Sequence, residues 1–372
     1  MSQLETLFTQ AWQKQATWLW LLLPLSWLYA LISMIRRWLY RQGWLKSYRA
    51  TIPVMVIGNI SVGGSGKTPL IITLVEYLQQ QGVAVGVISR GYSGDVSQMP
   101  AIVTQESLPT VVGDEPCLIV ASTSVPMAVC PNRQQAIETL QQQYPDVQLI
   151  IADDGLQHYA LQRDIEWIVV DSARGFGNRQ LLPTGFLRES VARLKTATVI
   201  YHIPTQQTVD KVINVNIKNS AASPPKQMWL QPALPQKLVA ASEGGQTIQQ
   251  PVQAEDGMEV KQDCAPKQGE MVYAVTGIGY PKRFFNTLQQ LGYQVIERAF
   301  ADHHDFLAED LLGLDKYPIL VTSKDAVKIQ VLARNNPQIA ALPIWVIPVR
   351  AQLTDACYTI LKQQLSIVNI RY

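Results

Sequence analysis

From Ala16 to Ile35 the chain reads "ATWLWLLLPLSWLYALISMI", twenty positions without a charge, about the length that crosses a hydrocarbon core. Arg36, Arg37, Arg41, Lys46 and Arg49 follow at once. A secretory signal peptide carries its positive charge before the apolar run and a small-residue cleavage site after it, so this order is close to the reverse. Pro24 interrupts the run, and Trp12, Trp18, Trp20, Trp27, Trp38 and Trp44 favour headgroup depth, where an amphipathic ring meets both phases. Residues 1–50 therefore read as a membrane-associated helical segment, spanning or lying in the interface. The basic cluster keeps the rest of the chain on the cytoplasmic side and can meet anionic lipid there.

Past residue 50 the pattern changes to short apolar runs alternating with helical stretches. "IPVMVIGNI" predicts a buried parallel strand, and "TPLIITLVEYLQQQG" places Leu70, Leu74 and Leu78 on one helical face before Gly82. "VAVGVISRGYSG", "VQLIIADDGLQH" and "IEWIVVD" add three more strands. Residues 51–218 thus predict an α/β core, a parallel sheet flanked by helices. The pattern lapses over residues 219–270, rich in Pro, Gln, Ala and Ser, which read as a linker or surface insertion with "MWLQ" and "KLVA" as possible short strands. Strand and helix patterns return over residues 271–372 as a smaller second α/β lobe. Its "TGIG" lacks the full G-x-G-x-x-G and needs only a tight strand-to-helix turn.

Within the core, "GNISVGGSGKTPL" sits between a strand and a helix, the context of a phosphate-binding loop. Its backbone N–H groups, over Ser61, Val62, Gly63, Gly64, Ser65 and Gly66, can converge on phosphate oxygens. Lys67 supplies a point charge and the Thr68 hydroxyl can join a magnesium shell, which implies ATP and Mg²⁺. Ser61 stands where the usual pattern has its first glycine. Asp153 and Asp154 end a predicted parallel strand, where such enzymes hold Mg²⁺. Asp114 and Glu115 in "VVGDEPCLI" suit proton abstraction, and equally suit a solvated turn. His202 is expected only to end a strand.

Composition narrows the setting. Apolar residues make up 47% and charged residues 16% of the 372, against roughly 25% charged in soluble proteins, so general disorder is excluded and an apolar environment indicated. A net charge of +2 gives no nucleic-acid partner, and no obligatory protein partner is inferred. Cys117, Cys130, Cys264 and Cys357 lack metal-binding spacing and read as buried thiols in a reducing compartment.

Together "GNISVGGSGKTP", "SRGY", "VGDEP", "DDGLQH", "LLPTGFLRE", "ADHHDF" and "TSKDAVK", spread over residues 58–328, resemble the tetraacyldisaccharide 4'-kinase family, the lipid A kinases of Gram-negative inner membranes. The resemblance implies transfer of the ATP γ-phosphate to the 4'-hydroxyl of a tetraacyl glucosamine disaccharide 1-phosphate, on the cytoplasmic face of the inner membrane. It implies Asp114 as the base with His303 as its partner, His304 being the competitor. Asp153, Asp154 and Glu189 would hold or orient Mg²⁺ with Thr68, while Lys67 and Asp154 would serve the transfer. Arg90, Tyr92, Arg133, Gln157, His158 and Arg188 are secondary candidates for nucleotide or headgroup contacts. Leu156, Thr184 and Phe186 depart from the family's usual residues. The alternatives are a P-loop ATPase driving a membrane partner, which would typically carry a lysine where Val62 stands, and a nucleotide-gated membrane scaffold.

Overall fold

A computed structural model describes residues 3–204, 225–238 and 265–370. It divides into two compact units, one of residues 1–231 with 350–372 and one of residues 232–349.

The first unit opens with helix α1 (Gln3–Gln13), a tight turn over Thr17–Leu22 and helix α2 (Leu23–Arg41). Strand β1 (Val54–Gly58) leads through the glycine loop to α3 (Lys67–Gln80) and β2 (Val85–Ser89). There follow β3 (Ala101–Val103), α4 (Asp114–Thr123), β4 (Met127–Val129), α5 (Arg133–Gln143), β5 (Leu149–Asp153), β6 (Ile165–Asp171), β7 (Thr198–His202) and β8 (Gln227–Pro232). These strands form a nine-stranded sheet with a later strand, β14 (Val349–Leu353), in the order β14-β8-β7-β6-β1-β5-β2-β4-β3.

Strand β1 pairs in parallel with β5 on one side and β6 on the other. The strands following β1 fill one side of it and then the other, so the order reverses there. Such a switch point opens a crevice at the carboxyl ends of the strands, where α/β folds bind ligands. Every residue of β1, β2 and β5 is buried, as the continuous β-branched runs require of strands covered on both faces. Only β3, at the edge, is antiparallel to its neighbour β4 among the paired strands β1–β8.

The second unit holds a five-stranded sheet, order β11-β10-β12-β13-β9. Its strands are β9 (Gln236–Lys237), β10 (Met271–Thr276), β11 (Gln294–Ala299), β12 (Ile319–Thr322) and β13 (Ile344–Ile347), all parallel except β9. Helix α6 (Pro281–Gln290) buries Phe284, Phe285 and Leu288, and α7 (Ser323–Asn335) buries Ile329. Buried Asp325 ties β10 to β12: its carboxylate accepts from Thr276 Oγ1 at 2.7 Å, Thr322 Oγ1 at 2.6 Å and Gly277 N at 3.1 Å.

Within the interval 219–270 the two short strands expected there form: "MWLQ" lies in β8, paired in parallel with β7, and Lys237 of "KLVA" lies in β9, paired with β13. Residues 239–264, with Cys264, fall outside the described residues. The second unit ends at Val349 rather than at residue 372. Helix α8 (Asp355–Ile367) returns to the first unit because Cys357, Leu361 and Leu365 make an apolar face that is buried there. Gln364 fixes its position, accepting from Trp167 Nε1 at 2.7 Å and donating to Thr198 Oγ1 at 2.9 Å. Cys117, Cys130 and Cys357 are buried free thiols.

Helix α2 has the opposite character. Ser26 is its buried residue, whereas Leu25, Trp27, Leu28, Leu31, Ile32, Met34, Ile35 and Trp38 are exposed. The stretch Thr17–Arg41 is long and apolar enough to cross a membrane.

The seat of α8 is testable. Leu361 is fully buried, so Leu361→Ala is expected to lower stability by about 2–5 kcal/mol through lost transfer energy and the cavity left behind. Urea unfolding measures this, and a loss below about 1 kcal/mol contradicts the buried seat.

Candidate active site

The glycine loop is shaped before any ligand arrives. Gly63 and Gly66 adopt φ of +93° and +92°, a region that L side chains rarely enter. A Cβ on Gly63 would meet Arg174 Nη1 at 2.8 Å, and one on Gly66 would meet His202 Nδ1 at 3.0 Å. Asn59 closes the turn, donating from Nδ2 to Gly63 O at 3.2 Å and accepting from Lys67 Nζ at 3.2 Å. Arg174 Nη1 donates to Val62 O at 2.9 Å, and His202 Nδ1 lies 3.0 Å from Ser65 O. Lys67 and Thr68 open α3, so the loop leads directly into a helix N-terminus, where N–H groups and the helix dipole favour an anion.

At the end of β5, Asp153 and Asp154 face this loop. Lys67 Nζ is 3.4 Å from Asp154 Oδ1, and Arg188 Nη1 is 3.0 Å from Asp154 Oδ2. Burial works against the Asp154 carboxylate, but Lys67 and Arg188 outweigh it and hold its pKa below the usual carboxylate range. Asp153 is pushed the other way, by burial and then by the Glu115 charge, with Lys67 opposing. Ser89 Oγ donates to Asp153 Oδ2 at 3.4 Å, and Arg133 Nη2 to the Asp153 carbonyl at 2.8 Å. Asp153 Oδ1 and Ser65 Oγ are buried without a hydrogen-bond partner among the described residues. A buried, unpaired carboxylate oxygen suits a cation.

Glu189 is paired with cations and an amide. It is held by Arg37 Nη1 at 3.4 Å, by Arg193 Nε at 3.3 Å and by Gln157 Nε2 at 2.9 Å. Among the described residues no three acidic or histidine side chains gather closely enough to hold a metal alone. The two aspartates would need ligands from a nucleotide, the usual arrangement for Mg²⁺.

Asp114 is buried as the first residue of α4, and Glu115 N donates to its Oδ1 at 3.0 Å. Gly113, at φ +96°, lets the chain pass close to Tyr92 O; a Cβ would lie 2.6 Å from it. Burial and then the Asp114 charge push the Cys117 thiol up to about 12, which leaves it inert.

His303 and His304 lie in the second unit. His303 has φ +59°; its N–H donates to Gly277 O at 3.0 Å, its carbonyl accepts from Lys328 Nζ at 2.9 Å, and Lys324 Nζ sits 3.1 Å from its Nε2. His304 stacks on Phe300 at 4.6 Å and pairs through Nε2 with Asp310 at 2.8 Å.

Asn59, Arg174 and His202 were not legible as site residues. Asn59 was signalled only by a polar residue directly after a buried strand, Arg174 by the glycine- and arginine-rich stretch around it. His202 does end β7 as expected, and in doing so its ring braces the loop backbone.

The chain matches the family described as tetraacyldisaccharide-1-P 4'-kinase over residues 18–366. A tetraacyldisaccharide 4'-kinase of Psychrobacter arcticus is 56% identical, covering 99% of this chain and 96% of its own length. Another, of Psychrobacter cryohalolentis, is 57% identical over 99% and 98%, and one of Actinobacillus pleuropneumoniae serotype 5b is 44% identical over 92% and 94%. The solved structure of LpxK from Aquifex aeolicus in complex with ATP shares the fold, with a TM-score of 0.69, 24% identity and coverage of 93% and 98%.

His158 offers a check on the electrostatics of the site. Burial first, then Arg133, Arg163, Arg36 and Arg90, bring its pKa from 6.5 down to about 4. Between those values the unfolded chain binds this proton and the folded chain does not. The stability associated with the neutral ring is therefore full above pH 6.5 and falls as the pH drops toward about 4. An NMR titration of the His158 ring should place its midpoint near 4; a midpoint at or above 6.5 contradicts the cationic surroundings.

Proposed function

The chain belongs to the family of tetraacyldisaccharide-1-P 4'-kinases, and from that premise we infer that its glycine loop and paired aspartates transfer the γ-phosphate of ATP to the 4'-hydroxyl of a tetraacylated glucosamine disaccharide 1-phosphate. The reaction is a step of lipid A biosynthesis. The observation that carries the assignment to this site is the chain of ion pairs from Lys67 through Asp154 to Arg188, set beside the unpaired Asp153 Oδ1. Two cations and one open carboxylate oxygen beside the glycine loop support this reading, since phosphoryl transfer needs charge neutralised at the terminal phosphates.

In this reading Ser61–Gly66 bind phosphate through backbone N–H groups, and Lys67 and Arg188 neutralise charge as it spreads over the transferring group. Asp153, with Asp154 and Thr68, would hold Mg²⁺, which when bound screens the phosphate oxygens and orients them. Glu189, committed to Arg37, Arg193 and Gln157, orients its neighbours rather than binding metal. Asp114 takes the proton of the 4'-hydroxyl. That oxygen then forms the new bond to the γ-phosphorus, and the bond to the β–γ bridging oxygen breaks, its electron pair leaving with ADP. His303, held by Lys324, Lys328 and Gly277, supports turnover.

The exposed apolar face of α2 and the basic residues after it support a seat on the cytoplasmic face of the inner membrane, where ATP is supplied and the acylated acceptor resides. A P-loop ATPase without a lipid acceptor is not favoured, given the match over nearly the whole chain.

Incubated with γ-labelled ATP, Mg²⁺ and tetraacyl disaccharide 1-phosphate in mixed micelles, the protein is expected to label the lipid. ATP hydrolysis without labelled lipid contradicts the reading. Asp114→Asn should lower kcat by about 10²-fold or more while ATP affinity changes less than about twofold, the pattern of a lost general base. An unchanged kcat removes Asp114 from the proton transfer.

A further inference from the structure

The segment from Leu181 to Glu189 is hydrogen-bonded on two sides. Toward the glycine loop, Arg188 N donates to Ile60 O at 2.7 Å and Val62 N to Phe186 O at 2.9 Å, with Ser61 and Leu187 paired as an antiparallel bridge. Toward the N-terminal helices, Trp12 Nε1 donates to Pro183 O at 2.9 Å and Tyr29 OH to Arg188 O at 3.1 Å. Between them sits Ser26. Its Oγ accepts from Thr184 N at 3.0 Å and lies 2.8 Å from Thr184 Oγ1 and 3.0 Å from Leu181 O. Arg37 adds its ion pair to Glu189.

Ser26 and Thr184 are both buried, so water cannot replace the bonds between them, and removing one hydroxyl strands partners that have lost their water. On its other face α2 presents a row of large apolar side chains that are exposed among the described residues. The inner face alone fixes the helix in water, whereas lipid would fix both. An element with two such seats shifts whatever is bonded to it. Here that is the backbone of residues 60–62, the start of the phosphate loop.

We propose that Ser26 is a positioning residue for phosphoryl transfer: through Thr184 it couples the seating of α2 in a lipid surface to the phosphate loop, so that membrane engagement tightens nucleotide binding. The proposal rests on the membrane-associated reading of α2.

Coupling of this kind is reciprocal: lipid and nucleotide must each change the other's affinity by one factor, commonly about fivefold or more. The test uses the full chain, a fluorescent ATP analogue and vesicles of phosphatidylethanolamine and phosphatidylglycerol. For the unmodified protein, vesicles are expected to tighten analogue binding by about fivefold or more, and saturating analogue should tighten vesicle binding by the same factor. Ser26→Ala should still sediment with vesicles but respond by less than about twofold, and Ser26→Thr, which keeps the hydroxyl, should restore the response. Thr184→Val keeps the backbone bond to Ser26 and removes only the hydroxyl, and should give an intermediate response. An equal vesicle response in the unmodified protein and in Ser26→Ala overturns the proposal, as does an unmodified protein that binds vesicles with no effect on nucleotide. If the unmodified protein does not bind vesicles at all, the membrane reading itself fails and the coupling with it.

Discussion

Two carboxylates sit side by side at the buried end of one parallel strand, and their charge has to be answered. Asp153 is buried and Asp154 beside it is half-buried, and a carboxylate taken out of water keeps its charge only beside cations or donors. Lys67 and Arg188 meet Asp154 directly, and Arg133 binds the Asp153 backbone. Each cation comes from a different part of the chain: the start of α3, the connection after β6, and the start of α5. The aspartates therefore hold three loops in place, and those loops form the site. The electrostatics differ between the two acids for the same reason. Asp154 is flanked by cations and stays ionised, whereas Asp153 is burdened by burial and by Glu115. A bound cation would relieve that burden.

The same network reaches the N-terminal apolar helix. Arg188 belongs to the segment that bonds to the glycine loop and to Ser26, Tyr29 and Trp12. Glu189, next in the chain, pairs with Arg37 of α2. On the proposed function this continuity matters, because the apolar helix and the glycine loop share one short segment.

Much of this was legible in the chain itself. Continuous apolar runs gave β1, β2, β5 and β6, because strands covered on both faces leave no polar alternation to confuse the reading. The strand-loop-helix context identified the phosphate loop despite Ser61. What could not be read were contacts between residues far apart in sequence. Nothing local marks Arg174 as the partner of Val62 O or His202 as the brace of Ser65 O. The pairing of Glu189 with Arg37, more than a hundred residues earlier in the chain, was equally unmarked. In the Pro- and Gln-rich interval 219–270 the apolar patches "MWLQ" and "KLVA" were the readable part, and β8 and β9 form there. The return of α8 to the first unit was invisible, since an amphipathic helix does not declare which sheet it covers. Thr184 and Phe186, unusual for the resemblance, found uses here: one bonds Ser26 and the other lies 4.8 Å beneath the Arg174 guanidinium.

The central claim is that the open carboxylate oxygen of Asp153, beside the Lys67–Asp154–Arg188 ion pairs, is where metal and nucleotide meet. Calorimetric titration of ATP into the protein with and without Mg²⁺, for the unmodified chain and for Asp153→Asn, tests it most directly. Mg²⁺ should tighten ATP binding to the unmodified protein, and Asp153→Asn should lose about tenfold or more of that gain while binding metal-free ATP nearly as before, the size expected for one charged ligand. An Asp153→Asn protein with an undiminished response to Mg²⁺ would contradict it.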